Sequence, residues 1–182
     1  MAPTLRQRAH GGALLAGTWL SLGHADVAEI AALAGFDWLL IDHEHGACDW
    51  RDLQHQLQAI AAGGGAAAVV RVPAIDAVAF KRALDLGAHG LMVPDVRDAD
   101  AARRIVELAR MESREGLAQV EAIAAVDGID VLFVGPTDLG TALSEDGSAG
   151  TPAVPGDARF EAPLRRIVEA ARRHGKAAGV LA

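Results

Sequence analysis

Along the chain, short runs of consecutive apolar residues alternate with longer segments in which apolar residues return every three or four positions. A short continuous apolar run reads as a buried strand, and the three-to-four spacing reads as a helix with one buried face. Strands are therefore expected over Leu14–Leu20, Phe36–Asp42, Ala67–Val72, Gly90–Val93, Asp130–Val134 and Lys176–Leu181. Helices are expected over Ala25–Ala34, Asp49–Ala62, Ala77–Leu86, Ala99–Arg110 and Ala158–His174. Asp49 and Asp76 stand where a helix start wants a side-chain acceptor, and Gly35, Gly87 and Gly175 follow helix ends.

Each helix feeds directly into a strand, which implies parallel strands with helical crossovers. No Gly-x-Gly-x-x-Gly turn follows the first strand, which weighs against a dinucleotide-binding sheet and favours a (β/α)8 barrel. One stretch breaks the alternation. From Ala99 to Ala125 the pattern is helix, then Met111-Glu112, then helix again, with no strand between. The strand-like segments number about seven, where a closed barrel has eight. The expectation is one domain over residues 1–182 whose fifth and eighth strands are largely missing, with segments absent between Arg110 and Met111 and beyond Ala182.

Composition narrows the function classes. Half of the residues are apolar, enough for one substantial core in 182 residues. A net charge of −7 argues against a general nucleic-acid surface, which depends on clustered Lys and Arg. No apolar run approaches the ~20 residues of a membrane span, and the N-terminus lacks the apolar core of a secretory signal. The single cysteine, Cys48, forms no internal disulfide, so a cytoplasmic location is expected. Cys48 follows His45 by three residues, which raises a thiolate nucleophile beside the commoner structural cysteine.

In a barrel, polar residues at strand C-termini converge on one face. The second strand ends in Asp42-His43-Glu44-His45-Gly46, the third carries Arg71, Glu112 stands at the fifth position, and Asp138 follows the sixth strand. Glu112 and Asp138 form a candidate ligand pair for a hard divalent ion such as Mg2+ or Mn2+; each alone also reads as a solvated acid at a helix start. Gly135-Pro136-Thr137 is a turn whose amides suit a small carboxylate, or a plain structural turn. Asp42 and His45 suggest a carboxylate–imidazole dyad, and Arg71 suits a developing oxyanion. The alternatives are a hydrogen-bonded loop histidine and an arginine paired with nearby acids.

Taken together, these segments resemble the HpcH/HpaI aldolase family of metal-dependent class II pyruvate aldolases, of the 4-hydroxy-2-oxoheptanedioate aldolase type. The resemblance runs over nearly the whole chain. It is carried by Gly17-Thr18-Trp19-Leu20, Ala34 to Asp42, Glu44-His45-Gly46, Val69-Val70-Arg71-Val72, Lys81 to Ala88, Met111-Glu112-Ser113-Arg114-Glu115 and Val134 to Leu139.

The resemblance implies a barrel of the phosphoenolpyruvate/pyruvate-binding type, and metal ligation by Glu112 and Asp138 with Mg2+, Mn2+ or Co2+. It implies proton handling by His45 with Asp42, enolate stabilisation by Arg71, support from Asp85, and an aromatic contact from Trp19. The substrates it implies are pyruvate and an aldehyde, in a homo-oligomer such as a hexamer or trimer of dimers, with a place in aromatic-compound catabolism. Family members carry about forty residues between the positions of Arg110 and Met111, and further chain after Ala182. The competing readings are a citrate-lyase-like enzyme acting on acyl-CoA and a non-catalytic remnant or assembly protein. The first would want a basic surface that the sequence does not offer. The scarcity of lysine, with only Lys81 and Lys176 present, fits enolate chemistry without a Schiff base.

Overall fold

The computed structural model describes residues 3–105, 108–111, 117–136, 139 and 158–181, of which 104, 108–111, 158 and 159 are described by backbone alone. Contacts divide the chain into two compact units, Met1–Met92 and Val93–Ala182.

In the first unit, β1 (Gly17–Leu20), β2 (Trp38–Asp42), β3 (Ala67–Arg71) and β4 (Gly90–Met92) form one parallel sheet in the order of the chain. Strand order that advances without reversal is the barrel pattern; a doubly wound sheet turns back at a switch point. The strands are crossed over by α2 (Ala25–Leu33), α3 (Trp50–Gly63) and α4 (Ala77–Asp85), after a short leading α1 (Leu5–His10). Leu39, Leu40 and Ile41 are all fully buried, as expected of a parallel strand covered on both faces.

The caps expected from the sequence are present. Asp49 accepts the amides of Arg51 and Asp52, with Asp52 returning a bond to the Asp49 amide, and Asp76 accepts from Ala79. Gly35 and Gly87, just past α2 and α4, adopt φ of 88° and 106°, where a side chain would be strained. Against α3, α2 buries Ala28 and Ala32, and a Cβ on Gly63 would come within 2.6 Å of the Ala32 methyl. Small residues here let two helices approach closely. The leading helix is tied down by an ion pair from Arg8 to Asp37, whose other oxygen accepts the Ala16 amide at 2.7 Å. That amide and Arg8 hold the Asp37 carboxyl below the usual carboxylate range.

The second unit contains a parallel sheet of β5 (Leu108–Met111), β6 (Val131–Val134) and β7 (Ala177–Val180), again in chain order. With it stand α5 (Ala99–Arg104), α6 (Val120–Ala124) and α7 (Ala158–Arg173). Phe160, Ile167, Ala170 and Ala171 of α7 are buried, as are Ile123, Ala124 and Leu132.

Three expectations are corrected. The helix expected over Ala99–Arg110 ends at Arg104, and residues that read as its last turn form β5, paired in register with β6 from Leu108↔Val131 to Met111↔Val134. A strand therefore stands where the fifth was expected to be largely missing, because sheet pairing overrides helix propensity. The first strand is shorter than expected; Leu14 lies outside it and is 97% exposed. No eighth strand and no helix long and apolar enough to cross a membrane occur among the described residues.

Leu40 lies fully buried at the centre of β2. Leu40→Ala is expected to lower the unfolding free energy by about 2 to 5 kcal/mol, read from the urea midpoint, because the close-packed surroundings relax only partly around the cavity.

Candidate active site

Asp42 and Arg71 are the last residues of β2 and β3, and the strand register sets them directly opposite one another. Their side chains meet in a two-pronged contact, Arg71 Nε donating to Asp42 Oδ1 at 2.8 Å and Nη2 to Oδ2 at 2.5 Å. Both side chains are 3% exposed. Asp42 Oδ1 also accepts the backbone amides of Glu44 at 3.1 Å and His45 at 3.0 Å, so one carboxylate orients both the arginine and the loop after its own strand. Burial alone would raise the Asp42 carboxyl's proton affinity. The Arg71 hydrogen bonds and the two loop amides outweigh it and hold the group below the usual carboxylate range.

The loop 43–49 is pinned at several points. The His43 amide donates to the Arg71 carbonyl and the Ala47 amide to Ser21. A Cβ on Gly46 would lie 2.1 Å from the Asp42 carbonyl oxygen, so only glycine lets the chain fold back this closely. The His43 ring packs on Trp50 at 4.4 Å, and the Arg82 guanidinium covers Trp50 at 4.3 Å. His43, a bystander in the sequence motif, is thus part of the loop's footing.

Around Arg71 three further side chains gather. The Trp19 ring lies 4.5 Å from the guanidinium carbon, a cation–π contact. Glu44 Oε2 stands 2.9 Å from Nη1, and His45 Nδ1 stands 3.0 Å from Nη2. A guanidinium only donates, so Nδ1 is the acceptor and the proton of the neutral imidazole sits on Nε2. That nitrogen faces Glu44 Oε1 at 3.8 Å.

The expected Asp42–His45 dyad is therefore rearranged. The Asp42 carboxylate accepts the His45 backbone amide, while the imidazole's charged neighbours are Arg71 and Glu44, because the register commits the Asp42 carboxylate to Arg71. Glu44 is the member whose contact with Arg71 the sequence reading missed; its place two residues after Asp42, in a loop that folds back, was the available signal.

Asp85 does not join this group. It is the last residue of α4, 63% exposed and paired with Lys81 at 2.5 Å. A crossover helix runs back against its strand, so its end lies toward the start of the sheet rather than at the strand ends where Asp42 and Arg71 stand. Burial, with the carboxylates of Asp52, Asp42 and Asp49, pushes the Cys48 thiol up, which disfavours the thiolate, and Sγ sits 3.5 Å from the Asp42 carbonyl. In the second unit Gly135 is buried after β6, its carbonyl accepting the Leu139 amide at 3.0 Å, and Pro136 follows it half-buried. Glu112, Thr137 and Asp138 lie outside the described residues. Among the described residues no group of three or more His, Cys, Asp or Glu side chains is placed to hold a metal ion.

The sequence profile of the HpcH/HpaI aldolase/citrate lyase family matches residues 15–182. The chain belongs to this family. The 4-hydroxy-2-oxovalerate aldolase of Novosphingobium aromaticivorans is 37% identical over 209 aligned residues, covering 93% of this chain and 76% of the relative. The hydroxypyruvate/pyruvate aldolase of Paraburkholderia phytofirmans is 39% identical over 92% of this chain and 78% of its own length. The crystal structure of an HpcH/HpaI aldolase/citrate lyase family protein from Burkholderia cenocepacia superposes with a TM-score of 0.86 at 34% identity, over 98% of this chain and 84% of that one. The first alignment is longer than this chain of 182 residues, so the relative carries residues between the matched ends that have no counterpart here. As an HpcH/HpaI family member the chain is a lyase of the aldolase kind, and its two units are each built of α/β segments on a parallel sheet.

Asp42→Asn turns one acceptor of the buried two-pronged contact into a donor facing Arg71 and leaves Glu44 as the guanidinium's remaining carboxylate neighbour, and is expected to cost about 3 kcal/mol in urea unfolding at neutral pH. Because the folded-state pKa of Asp42 is depressed, its contribution is complete above the ordinary carboxylate range and is lost as pH falls through the folded value. The gap between wild type and variant should therefore close in acid.

Proposed function

We propose that this chain is a metal-dependent aldolase that cleaves a 4-hydroxy-2-oxo acid to pyruvate and an aldehyde, and runs the addition in reverse. The observation that carries the reading is the buried, fixed guanidinium of Arg71 at a strand end, beside an exposed imidazole and under an aromatic ring. Cleavage leaves negative charge on the former keto oxygen of pyruvate, and a pre-oriented cation that needs no reorganisation is what such an enolate requires.

The electrostatics of the group favour a partner cation. Among the described residues, the two carboxylates of Asp42 and Glu44 face the one guanidinium of Arg71. A 2-oxo acid is itself an anion and would be repelled without further positive charge. Glu112 and Asp138 are the residues proposed to hold it, as hard oxygen donors suited to Mg2+, Mn2+ or Co2+. A divalent ion held there would supply Lewis acidity to the reaction.

The chain's own residues then divide the work. Arg71 stabilises the enolate oxygen, with Asp42 holding the guanidinium in place and Trp19 covering one face. His45, 70% exposed, exchanges protons at the open side of the group. The amides of the Gly135-Pro136-Thr137 turn suit the substrate carboxylate.

Purified protein supplied with Mg2+, Mn2+ or Co2+ is expected to release pyruvate from at least one 4-hydroxy-2-oxo acid, followed by coupled oxidation of NADH with lactate dehydrogenase. Glu112→Ala should lower that rate by at least about a hundredfold while leaving the circular-dichroism melt intact. Absence of pyruvate from every such acid, or equal rates in the variant, overturns the reading.

A further inference from the structure

We propose that Glu44 is a displaceable counter-ion, pairing with Arg71 Nη1 in the free protein and passing to His45 when a substrate oxygen takes that nitrogen. The inference deepens the aldolase reading and rests on it. A guanidinium has five donor hydrogens. In Arg71, Nε and Nη2 are committed to Asp42, and Nη2 also faces His45 Nδ1. Nη1 is left as the nitrogen that an incoming oxyanion can address, and Glu44 Oε2 stands 2.9 Å from it.

The two carboxylates on Arg71 are not equivalent. Asp42 is the last residue of a strand, 3% exposed, and makes two directed hydrogen bonds. Glu44 is in the loop, on a longer side chain that is 19% exposed, and its Oε2 forms an ion pair with Nη1 at 2.9 Å. An anion arriving at Nη1 competes with the second carboxylate and leaves the first untouched.

Glu44 has a second place to go. Its other oxygen, Oε1, is 3.8 Å from His45 Nε2, just beyond hydrogen-bond range, and Nε2 carries the proton of the neutral imidazole. Released from Nη1, the carboxylate closes that gap by a small side-chain rotation. Binding of an anion to Arg71 thereby gives His45 a carboxylate partner, which is the positioning role that Asp42 cannot fill.

The test uses oxalate, a planar dianion with the shape of the enolate, titrated calorimetrically into the Mg2+-supplied protein. Glu44→Gln keeps shape but removes the competing charge, so oxalate should bind about fivefold more tightly while kcat for pyruvate release falls together with KM. In the wild type, saturating oxalate should slow solvent exchange of the His45 Nε2 proton in spectra of histidine-15N-labelled protein, with His45→Gln supplying the assignment. Unchanged or weaker oxalate binding by a variant that melts like wild type overturns the proposal, as does an unchanged exchange rate in the wild type. Failure of the wild type itself to bind oxalate or release pyruvate overturns the aldolase reading along with it.

Discussion

The paired register of β2 and β3 places a carboxylate and a guanidinium side by side at the ends of two buried strands, and the functional geometry of the first unit hangs on that contact. Removing two charges from water is expensive, and a pair of apolar residues of similar size is often as stable or more so. The return is positional. Asp42 holds Arg71 by two nitrogens and the 43–49 loop by two amides, so a single strand-end residue orients the cation and the imidazole-bearing loop together. A one-residue slip of β2 against β3 would point one member of the pair to the other face of the sheet. The fully buried Leu39-Leu40-Ile41 run makes such a slip costly, which connects core packing to the precision of the site.

The loop gains the rest of its order from short-range contacts rather than from burial. Gly46 lets it fold back onto the Asp42 carbonyl, Ala47 bonds to the end of β1, and the Asp49 cap starts α3 at a defined point. Trp50, the first residue of that helix, contacts the His43 ring at a 38° tilt and lies under the Arg82 guanidinium. His45 itself remains 70% exposed. An ordered base beneath an exposed imidazole fits the proton exchange proposed for His45 while presenting one nitrogen to Arg71.

Much of this was legible in the sequence, and the parts that were not share a cause. The apolar run ending in Asp42, the strand ending in Arg71, and the caps at Asp49 and Asp76 are local signals, and each stands where the pattern indicated. What no local pattern carries is which strand residue faces which. The Asp42–Arg71 pairing and the consequent removal of Asp42 from the imidazole follow from register, a property of two segments 29 residues apart. The same limit explains β5, since Leu108–Met111 continues a helical pattern and becomes a strand only because β6 is there to pair with it. Asp85 shows the converse: motif resemblance gave it a role, and its place at the exposed end of a crossover helix separates it from the strand-end group.

The charge count of the cluster bears on what kind of ligand the family scaffold can accept. With Arg71 already claimed by one carboxylate and shared by a second, the group is poorly suited to hold an anion through permanent positive charge. The proposed exchange replaces one ion pair on Nη1 by another, so the guanidinium keeps a counter-charge throughout. In the proposed exchange, the directed bonds to Asp42 hold the guanidinium in place while Glu44 moves. A fixed cation with a movable counter-ion meets two demands at once: the buried charge is compensated when the site is empty, and its donors are available when charge develops on the substrate oxygen.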